Sequence, residues 1–165
     1  MELSLMTFSM LMDASMKKMD AETLCQVAEQ NGLSSLDLMD FDLKVYGKEK
    51  LMEAMKRHGI HCGCLIMSTP FFSAPGKVAG EIKERLEIAR ELGTDILMVI
   101  PGQATPADKS ACKKMDKREM LRIAVHLFRD AVEQAKEYGI KIGFENTPHS
   151  YKPLASAKDC KFVLQ

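Results

Sequence analysis

The amino-acid sequence predicts an α/β fold in which parallel strands alternate with helices. Short apolar runs are followed by longer amphipathic segments, most of these segments stop at a glycine, and no tight hairpin turn joins one apolar run to the next. Parallel strands joined by right-handed helical crossovers are the expected arrangement for such a pattern. No low-complexity segment or linker divides the chain, so residues 1–165 are predicted to form a single domain.

Five apolar runs are predicted as strands, and their approximate ranges are 3–10, 33–39, 60–67, 95–101 and 140–146. The fourth run is apolar at every position from Ile96 to Ile100. A continuous apolar run of this length is typical of a parallel strand that is covered on both faces.

The amphipathic segments are predicted to be helices over 21–31, 48–58, 78–92 and 117–138, with the start of a fifth helix over 156–164. Their apolar residues return every three or four positions, which is helical spacing. A glycine follows each of the first four and is predicted to end it: Gly32, Gly59, Gly93 and Gly139. The irregular stretches 69–77 and 101–116 follow the third and fourth strands, at the edge where α/β proteins place their chemistry.

The composition is that of a globular protein and argues against several classes of function. The 165 residues are 46% hydrophobic, and 23 basic residues balance 23 acidic ones. No nucleic-acid partner is expected, because nucleic-acid-binding proteins usually carry a basic excess. No membrane partner or secretory signal is expected, because no apolar run approaches a span and the apolar start lacks basic residues. Five cysteines, an odd number, indicate reduced thiols and a cytoplasmic protein.

Glu145 is the residue that most strongly suggests chemistry. It ends the last predicted strand, directly before Asn146-Thr147-Pro148-His149. An unpaired buried carboxylate is costly, so a core role is difficult to explain, and at the carboxyl end of a strand Glu145 would face the mouth of the sheet. Asn146 and His149 are candidates to orient Glu145 or to contact a substrate. The alternatives are an N-cap or salt-bridged strand end for Glu145 and a surface position for His149.

Two more polar residues are candidate substrate contacts. Asp37 lies between two leucines of the second strand, where it either faces the inside of the sheet toward a ligand or pairs with a lysine near the strand end. Gln103 follows Pro101-Gly102 at the end of the fourth strand and is placed to hydrogen-bond a polyol. Asp40 and Asp42, by contrast, are predicted to be solvated in a polar loop.

The two phenylalanines Phe71 and Phe72 follow the third strand and would be exposed unless they cover something. One interpretation makes them an apolar wall over the mouth of the sheet, in contact with the substrate. The other packs them against the neighbouring helix.

The residue types of a zinc site occur together in His58, His61, Cys62 and Cys64, but their spacing does not suit one. Residues 61–64 lie on a predicted strand, where alternate side chains face opposite sides. Structural zinc ligands usually come in pairs from turns, with two or more residues between them. Buried structural thiols are therefore the preferred interpretation.

Three segments make the chain resemble the sugar phosphate isomerase/epimerase superfamily, the xylose-isomerase-like TIM barrels. The segment 138–146, Tyr-Gly-Ile-Lys-Ile-Gly-Phe-Glu-Asn, is similar to the fifth strand of that family. The segment 89–95, Ala-Arg-Glu-Leu-Gly-Thr-Asp, resembles its approach to strand four, and the Pro101-Gly102 ending is similar too. The resemblance implies a partial (β/α) barrel, with about five of the eight units of the complete fold.

The resemblance also implies a metal-dependent reaction. In that family a divalent ion, manganese, magnesium, cobalt or zinc, is held by Glu, Asp, His and Glu from strands five to eight. Members move a proton next to a carbonyl of a sugar or sugar phosphate through an enediolate. Glu145 matches the first metal ligand and a proton-transfer carboxylate, whereas the other three ligands would follow Gln165. The implied function is the N-terminal part of a sugar isomerase or epimerase, and the chain alone is expected to be inactive and to hold no metal tightly.

A second interpretation remains open beside the enzyme. Strands left unpaired where a barrel should close are templates for association. The chain could therefore be a non-catalytic half-barrel or binding module that assembles through its open sheet edges, and a homo-oligomer formed in this way is a possible partner state.

Overall fold

The computed structural model describes residues 3–11, 19–101, 106–146 and 154–165. Within these residues the strands form one parallel sheet with the spatial order of the chain. The strands are β1 (Ser4–Met6), β2 (Ser35–Met39), β3 (His61–Thr69), β4 (Ile96–Pro101) and β5 (Lys141–Phe144). The predicted fold class is confirmed: this is the parallel sheet of an incomplete barrel, with β1 and β5 at its two open edges.

The helices of the described chain are α1 (Thr7–Leu11), α2 (Ala21–Gln30), α3 (Lys48–Arg57), α4 (Pro75–Leu92), α5 (Pro106–Lys114), α6 (Lys117–Lys136) and α7 (Ala157–Val163). A π-helical turn, Leu43–Gly47, precedes α3. The glycines predicted to end the first four helices all have positive φ, as Gly93 shows with φ 75°. Helix α4 begins earlier than predicted, because Pro75 is tolerated in a first helical turn.

The largest differences from the predicted elements are in the first strand and in the stretch after β4. The first strand was expected over 3–10, yet β1 ends at Met6 and α1 follows at once. The chain turns there because Thr7 is buried and its hydroxyl donates to the carbonyl oxygen of Asp37 at 3.1 Å. The stretch 101–116 was expected to be irregular, whereas α5 occupies most of its described part.

The helix-covered face of the sheet carries the main hydrophobic core. Alternate side chains of the central strands are fully or almost fully buried there: Leu36, Leu38, Leu65, Met67, Leu97 and Val99. They meet the apolar faces of the helices, which contribute Leu24, Leu51, Leu86 and Leu127 among others. The helices of the described chain therefore cover this face of the sheet by themselves.

The opposite face, here called the inner face, lies inside the barrel of a complete fold. Its buried residues are few: Met39, Cys64, Ile66 and Ile100. Met6, Phe41, Ile96 and Met98 pack against them but stay partly exposed. The inner face is therefore an apolar layer without a second wall in the described chain.

A β-bulge at Gly63 shapes the inner face near the amino ends of the strands. The pairing of β2 with β3 shifts between Leu36 and Asp37, so that Leu36 pairs with Cys62 and Asp37 with Cys64. A Cβ atom at Gly63 would lie 2.8 Å from Oδ1 of Asp37. Only glycine therefore allows the carboxylate of Asp37 to approach the β3 backbone this closely.

None of the described helices combines enough length with enough apolar character to cross a bilayer.

Candidate functional site

The carboxyl end of β5 places Glu145 at the edge of the sheet. Phe144, the last residue of β5, packs on the helix-covered side, with its ring centroid 5.1 Å from that of Phe128. Gly143 faces the other way, since a Cβ atom there would lie 3.9 Å from Met98 on the inner face. Glu145 follows the strand directly and is half-buried, and alternation continued past Phe144 would direct it to the inner side.

Three other residues were predicted to lie at the carboxyl edge of the sheet with Glu145: Gln103, Asn146 and His149. Asn146 directly follows Glu145 and is exposed. Gln103 and His149 lie outside the described residues. Of the predicted residues at the carboxyl edge, the structure thus brings Glu145 and Asn146 to the same strand end, and substrate contact by any of the four stays a prediction.

The described residues around Glu145 supply too few ligands for a divalent metal ion. Within the described ranges no group of three or more His, Cys, Asp or Glu side chains is close enough to share an ion. A single carboxylate supplies one ligand, whereas protein-bound divalent ions of this kind use several oxygen or imidazole ligands. The described residues therefore do not fit a resident metal by themselves.

The carboxyl end of β2 contains a buried carboxylate that the sequence pattern placed in solvent. Asp42 is 0% exposed, and its Oδ2 accepts from the backbone N–H of Met39 at 2.8 Å and from the hydroxyl of Thr7. Among the described residues, Oδ1 of Asp42 has no hydrogen-bond partner. Burial raises the pKa of this carboxyl, the bonds from Thr7 and Met39 oppose that effect, and nearby Asp40 raises it further.

Asp40 is not solvated either. Its carboxylate pairs with Nε of Arg85 at 3.2 Å, and both side chains are largely covered. Farther along the same edge, the buried hydroxyl of Thr69 donates to the carboxylate of Glu81. Helix α4 is in this way tied to the ends of both β2 and β3, and Arg85 is already engaged by acidic partners.

Phe71 and Phe72 follow the second of their two interpretations. They are 0% and 2% exposed, and the ring of Phe71 lies 5.1 Å from that of Phe128 in α6. Both belong to the core between sheet and helices rather than to an open wall over the mouth. Substrate contact by either ring is a prediction that this burial does not support.

Asp108 in α5 holds the loop that contains these rings. Its Oδ1 accepts from the backbone N–H groups of Phe72 and Ser73, at 3.0 and 2.8 Å. One buried aspartate therefore joins α5 to the loop after β3. Sequence reasoning missed both Asp42 and Asp108, and the only signal for either was an acidic residue close to the end of a strand.

Asp37 faces the inner side of the sheet, which was one of its two predicted environments. Its neighbours in the strand, Leu36 and Leu38, are buried under the helices, and its Oδ1 accepts from the Ser4 hydroxyl at 2.8 Å. The apolar layer that includes Met39 and Ile66 lies between Asp37 and the carboxyl edge. Asp37 is thus on the amino side of that layer, away from Glu145.

The cysteines of β3 point to opposite faces. Cys62 belongs to the helix-covered core and Cys64 to the inner face. Burial raises the pKa of the Cys62 thiol to about 12 and that of Cys64 to about 11. Both are therefore protonated at neutral pH, as expected of structural thiols rather than nucleophiles. His58 is engaged elsewhere, between Glu29 at 2.6 Å and Glu22 at 2.9 Å.

Comparison with known proteins identifies the family of the fold. Residues 25–165 match the family model described as xylose isomerase-like TIM barrel. A search of curated proteins finds no significant sequence match.

Solved structures with the same fold are longer than this chain. The IolI protein with a bound zinc atom superposes with a TM-score of 0.75 at 18% identity, over 99% of this chain and 58% of its own. An AP endonuclease, family 2, from Brucella melitensis gives 0.70 at 12% identity, over 99% and 65%. A sugar phosphate isomerase/epimerase from Parabacteroides distasonis gives 0.64 at 15% identity, over 99% and 63%. The chain therefore spans about three fifths of their length, and the likeness shows the fold alone.

Proposed function

Because the chain belongs to the xylose isomerase-like TIM barrel family, we propose that the complete barrel is a divalent-metal-dependent sugar or sugar phosphate isomerase or epimerase. The observation that carries the proposal is Glu145, a half-buried carboxylate directly after the carboxyl end of β5. The fold neighbour from Parabacteroides distasonis is named a sugar phosphate isomerase/epimerase, and the IolI neighbour was crystallised with zinc.

The role proposed for Glu145 is proton transfer at the carbon beside a sugar carbonyl, by way of an enediolate. A carboxylate there can take the proton from one position and return it to another, provided that it reaches the carbon directly. In the complete protein we also propose Glu145 as one ligand of manganese, magnesium, cobalt or zinc. The described part of the chain gathers no further ligands around it, so the 165-residue chain is proposed to be inactive and to bind such ions weakly.

Three secondary expectations accompany this proposal. The substrate is a small-molecule sugar or its phosphate, contacted by Asn146, Gln103 or His149 near the mouth. A nucleic-acid partner is not proposed, since basic and acidic residues are equal in number. A cytoplasmic location follows from the free cysteines and stays a prediction.

A manganese titration followed by electron paramagnetic resonance tests the metal role of Glu145. The chain is compared with Glu145→Gln and with a control, Glu133→Gln, whose carboxylate lies exposed on α6 beside Lys136 at 2.7 Å. We expect weak binding that Glu145→Gln weakens at least tenfold and Glu133→Gln leaves unchanged. Equal affinity in all three proteins removes Glu145 as a ligand, and submicromolar binding by the unaltered chain contradicts the need for further ligands.

The open edges favour one second candidate, a half-barrel that assembles with another chain. Leu3 and Phe8 beside β1 are 59% and 44% exposed, and Leu164 beyond α7 is 74% exposed. A groove of about 250 Å³ next to β5 is lined by Phe128, Ile142, Phe144 and Leu164 among others. Sedimentation equilibrium distinguishes the two candidates, because the half-barrel requires a stable oligomer whose formation does not depend on metal.

A further inference from the structure

We propose that Asp37 and its surroundings form a binding site for one cationic side chain, an arginine or lysine, carried by the polypeptide that covers the inner face. The inference rests on the completed barrel of the proposed function, but it needs neither the metal nor the reaction. The site lies at the amino ends of the strands, on the far side of the apolar layer from Glu145.

The site is built around the carboxylate of Asp37. The hydroxyl of Ser4, on β1, donates to its Oδ1 at 2.8 Å. On the β3 side the bulge residue Gly63 leaves open the space that a side chain would fill, since a Cβ atom there would lie 2.8 Å from Oδ1 of Asp37 and 3.2 Å from Oγ of Ser4. The backbone of Gly63 is fixed in turn, because its carbonyl accepts from the Thr94 hydroxyl at 3.0 Å.

The groups around Asp37, namely Ser4 and the bulge residue Gly63, are here called the cradle. The cradle opens into a cavity of about 550 Å³, here called the amino-end cavity. It is lined by the inner-face residues near the starts of β1 to β4, including Ser4, Ser35, Asp37, Gly63, Thr94 and Ile96. The volume is ample for a guanidinium or ammonium group on an alkyl stem. Its mixed lining suits such a group, since the charged head needs acceptors and the stem needs apolar contact.

The charge of Asp37 is not balanced within the described chain. Apart from the Ser4 hydroxyl, no described side chain donates to its carboxylate, and no described cation pairs with it. The second carboxylate at the cavity, that of Asp95, already pairs with Nζ of Lys141 at 2.8 Å. Asp37 is therefore the negative charge that the cavity offers to an incoming group.

Covering the inner face makes a cation the favoured partner. Asp37 is half-buried now, and a second wall of strands would remove it from water. Burying an unpaired carboxylate costs several kcal/mol in general, whereas a hydrogen-bonded ion pair offsets much of that cost. An arginine fork suits this place, because it can donate to the carboxylate and to the Ser4 oxygen together. A metal ion suits it less, because the described residues bring no three ligands together.

The test uses n-propylguanidinium chloride as a probe of the isotope-labelled 165-residue chain at low ionic strength. The amide resonances of Gly63 and Cys64 report on the cradle, and n-propylurea, a neutral molecule of similar shape, is the matched ligand control. We expect saturable, millimolar binding of the guanidinium that shifts both amides, with no saturation by the urea.

Two variants with matched chemistry decide the result. Asp37→Asn should weaken guanidinium binding at least tenfold, while Asp95→Asn, at the same cavity but already paired with Lys141, should change it less than twofold. Absence of saturation, equal binding in Asp37→Asn, or equal binding of the urea each overturns the proposal. Glu145→Gln should leave guanidinium binding unchanged, so failure here and failure of the manganese titration are separate results.

Discussion

The two faces of this sheet are built from the same five strands, yet only one of them is fully covered by packed side chains. Toward the helices, alternate strand residues such as Leu65 and Leu97 are fully buried against α2 to α6. On the inner face, Met6, Ile96 and Met98 remain partly exposed, and polar groups gather around Asp37. Each βα unit covers its own helix side, whereas the inner face of a barrel is covered only by strands from across the ring. The stability of the chain should therefore come mostly from one face.

The largest expected effect contrasts a core ring with an inner-face side chain. Phe71→Ala removes a fully buried ring that packs on Phe128, and we expect a loss of about 3–5 kcal/mol in the free energy of unfolding. Met98→Ala shortens a half-exposed side chain of the inner face and should cost about 1 kcal/mol. Urea unfolding followed by circular dichroism measures both. Losses of equal size would mean that the inner face is packed as tightly as the core.

The second effect concerns the buried carboxylate at the end of β2. Asp42→Ala leaves the Met39 N–H without its acceptor and the Thr7 hydroxyl with only the carbonyl oxygen of Asp37, and it should cost about 2 kcal/mol at pH 7. Asp42→Asn keeps an amide oxygen that can accept from the Met39 N–H, and its amide NH2 group can donate to the hydroxyl oxygen of Thr7. We therefore expect the asparagine variant to lie within about 1 kcal/mol of the unaltered chain.

The pH dependence of the free energy of unfolding, compared between the unaltered chain and Asp42→Asn, gives an independent check. Burial raises the pKa of Asp42 above its ordinary value of 3.8, so protonation stabilises the folded chain. That contribution is complete below pH 3.8 and is lost as the pH rises through the raised pKa of the folded state. Relative to Asp42→Asn, the unaltered chain should become less stable over this interval. A difference between the two proteins that does not change with pH would contradict the assignment.

A smaller effect is expected at the contact between α2 and α3. His58 lies between Glu29 and Glu22, and hydrogen bonds to these two carboxylates raise the pKa of its imidazole. The stabilisation is complete below the ordinary pKa of 6.5 and is lost as the pH rises through the raised value. When the free energy of unfolding is measured as a function of pH, His58→Gln should no longer show this decrease in stability. His126→Gln, on an exposed part of α6, is the control and should retain it.

The sequence predicted the five parallel strands, although not the end of the first, and most helix ends, because these depend on local pattern. Each of these signals is local: apolar periodicity, a glycine stop, or a charge at the end of an apolar run is contained in a short segment of sequence. Asp42 could not be placed from such a pattern. Its burial depends on contact with Thr7, a residue 35 positions away that begins α1. The same holds for Asp108 of α5, whose partners Phe72 and Ser73 belong to the loop after β3.

The phenylalanines show why two alternatives stayed open in the sequence. An aromatic pair in a loop looks exposed when only its neighbours in sequence are considered. In the structure Phe128 of α6 packs on the ring of Phe71, and both phenylalanines are buried in the core. Asp37 was assigned to the inner side correctly as one of two alternatives, yet its level along the barrel axis depends on strand register and on the bulge at Gly63. Neither can be read from alternation alone.

The smallest expected change in stability is at the open β5 edge. Leu164 is 74% exposed beside the groove next to β5, so Leu164→Ser should alter the free energy of unfolding by less than about 0.5 kcal/mol. If this edge drives association, the same variant should weaken any oligomer, because the serine no longer offers apolar area to a partner. Sedimentation equilibrium at several concentrations measures this.

The matched control for that edge is Val45→Ser, which removes a side chain of 61% exposure away from the β5 groove. It should leave both stability and self-association unchanged. A loss of more than about 1 kcal/mol in Leu164→Ser alone would mean that Leu164 is covered in the isolated chain. Loss of association in both variants would assign it to general surface apolarity. Only association that falls in Leu164→Ser, at constant stability, assigns self-association to the β5 edge.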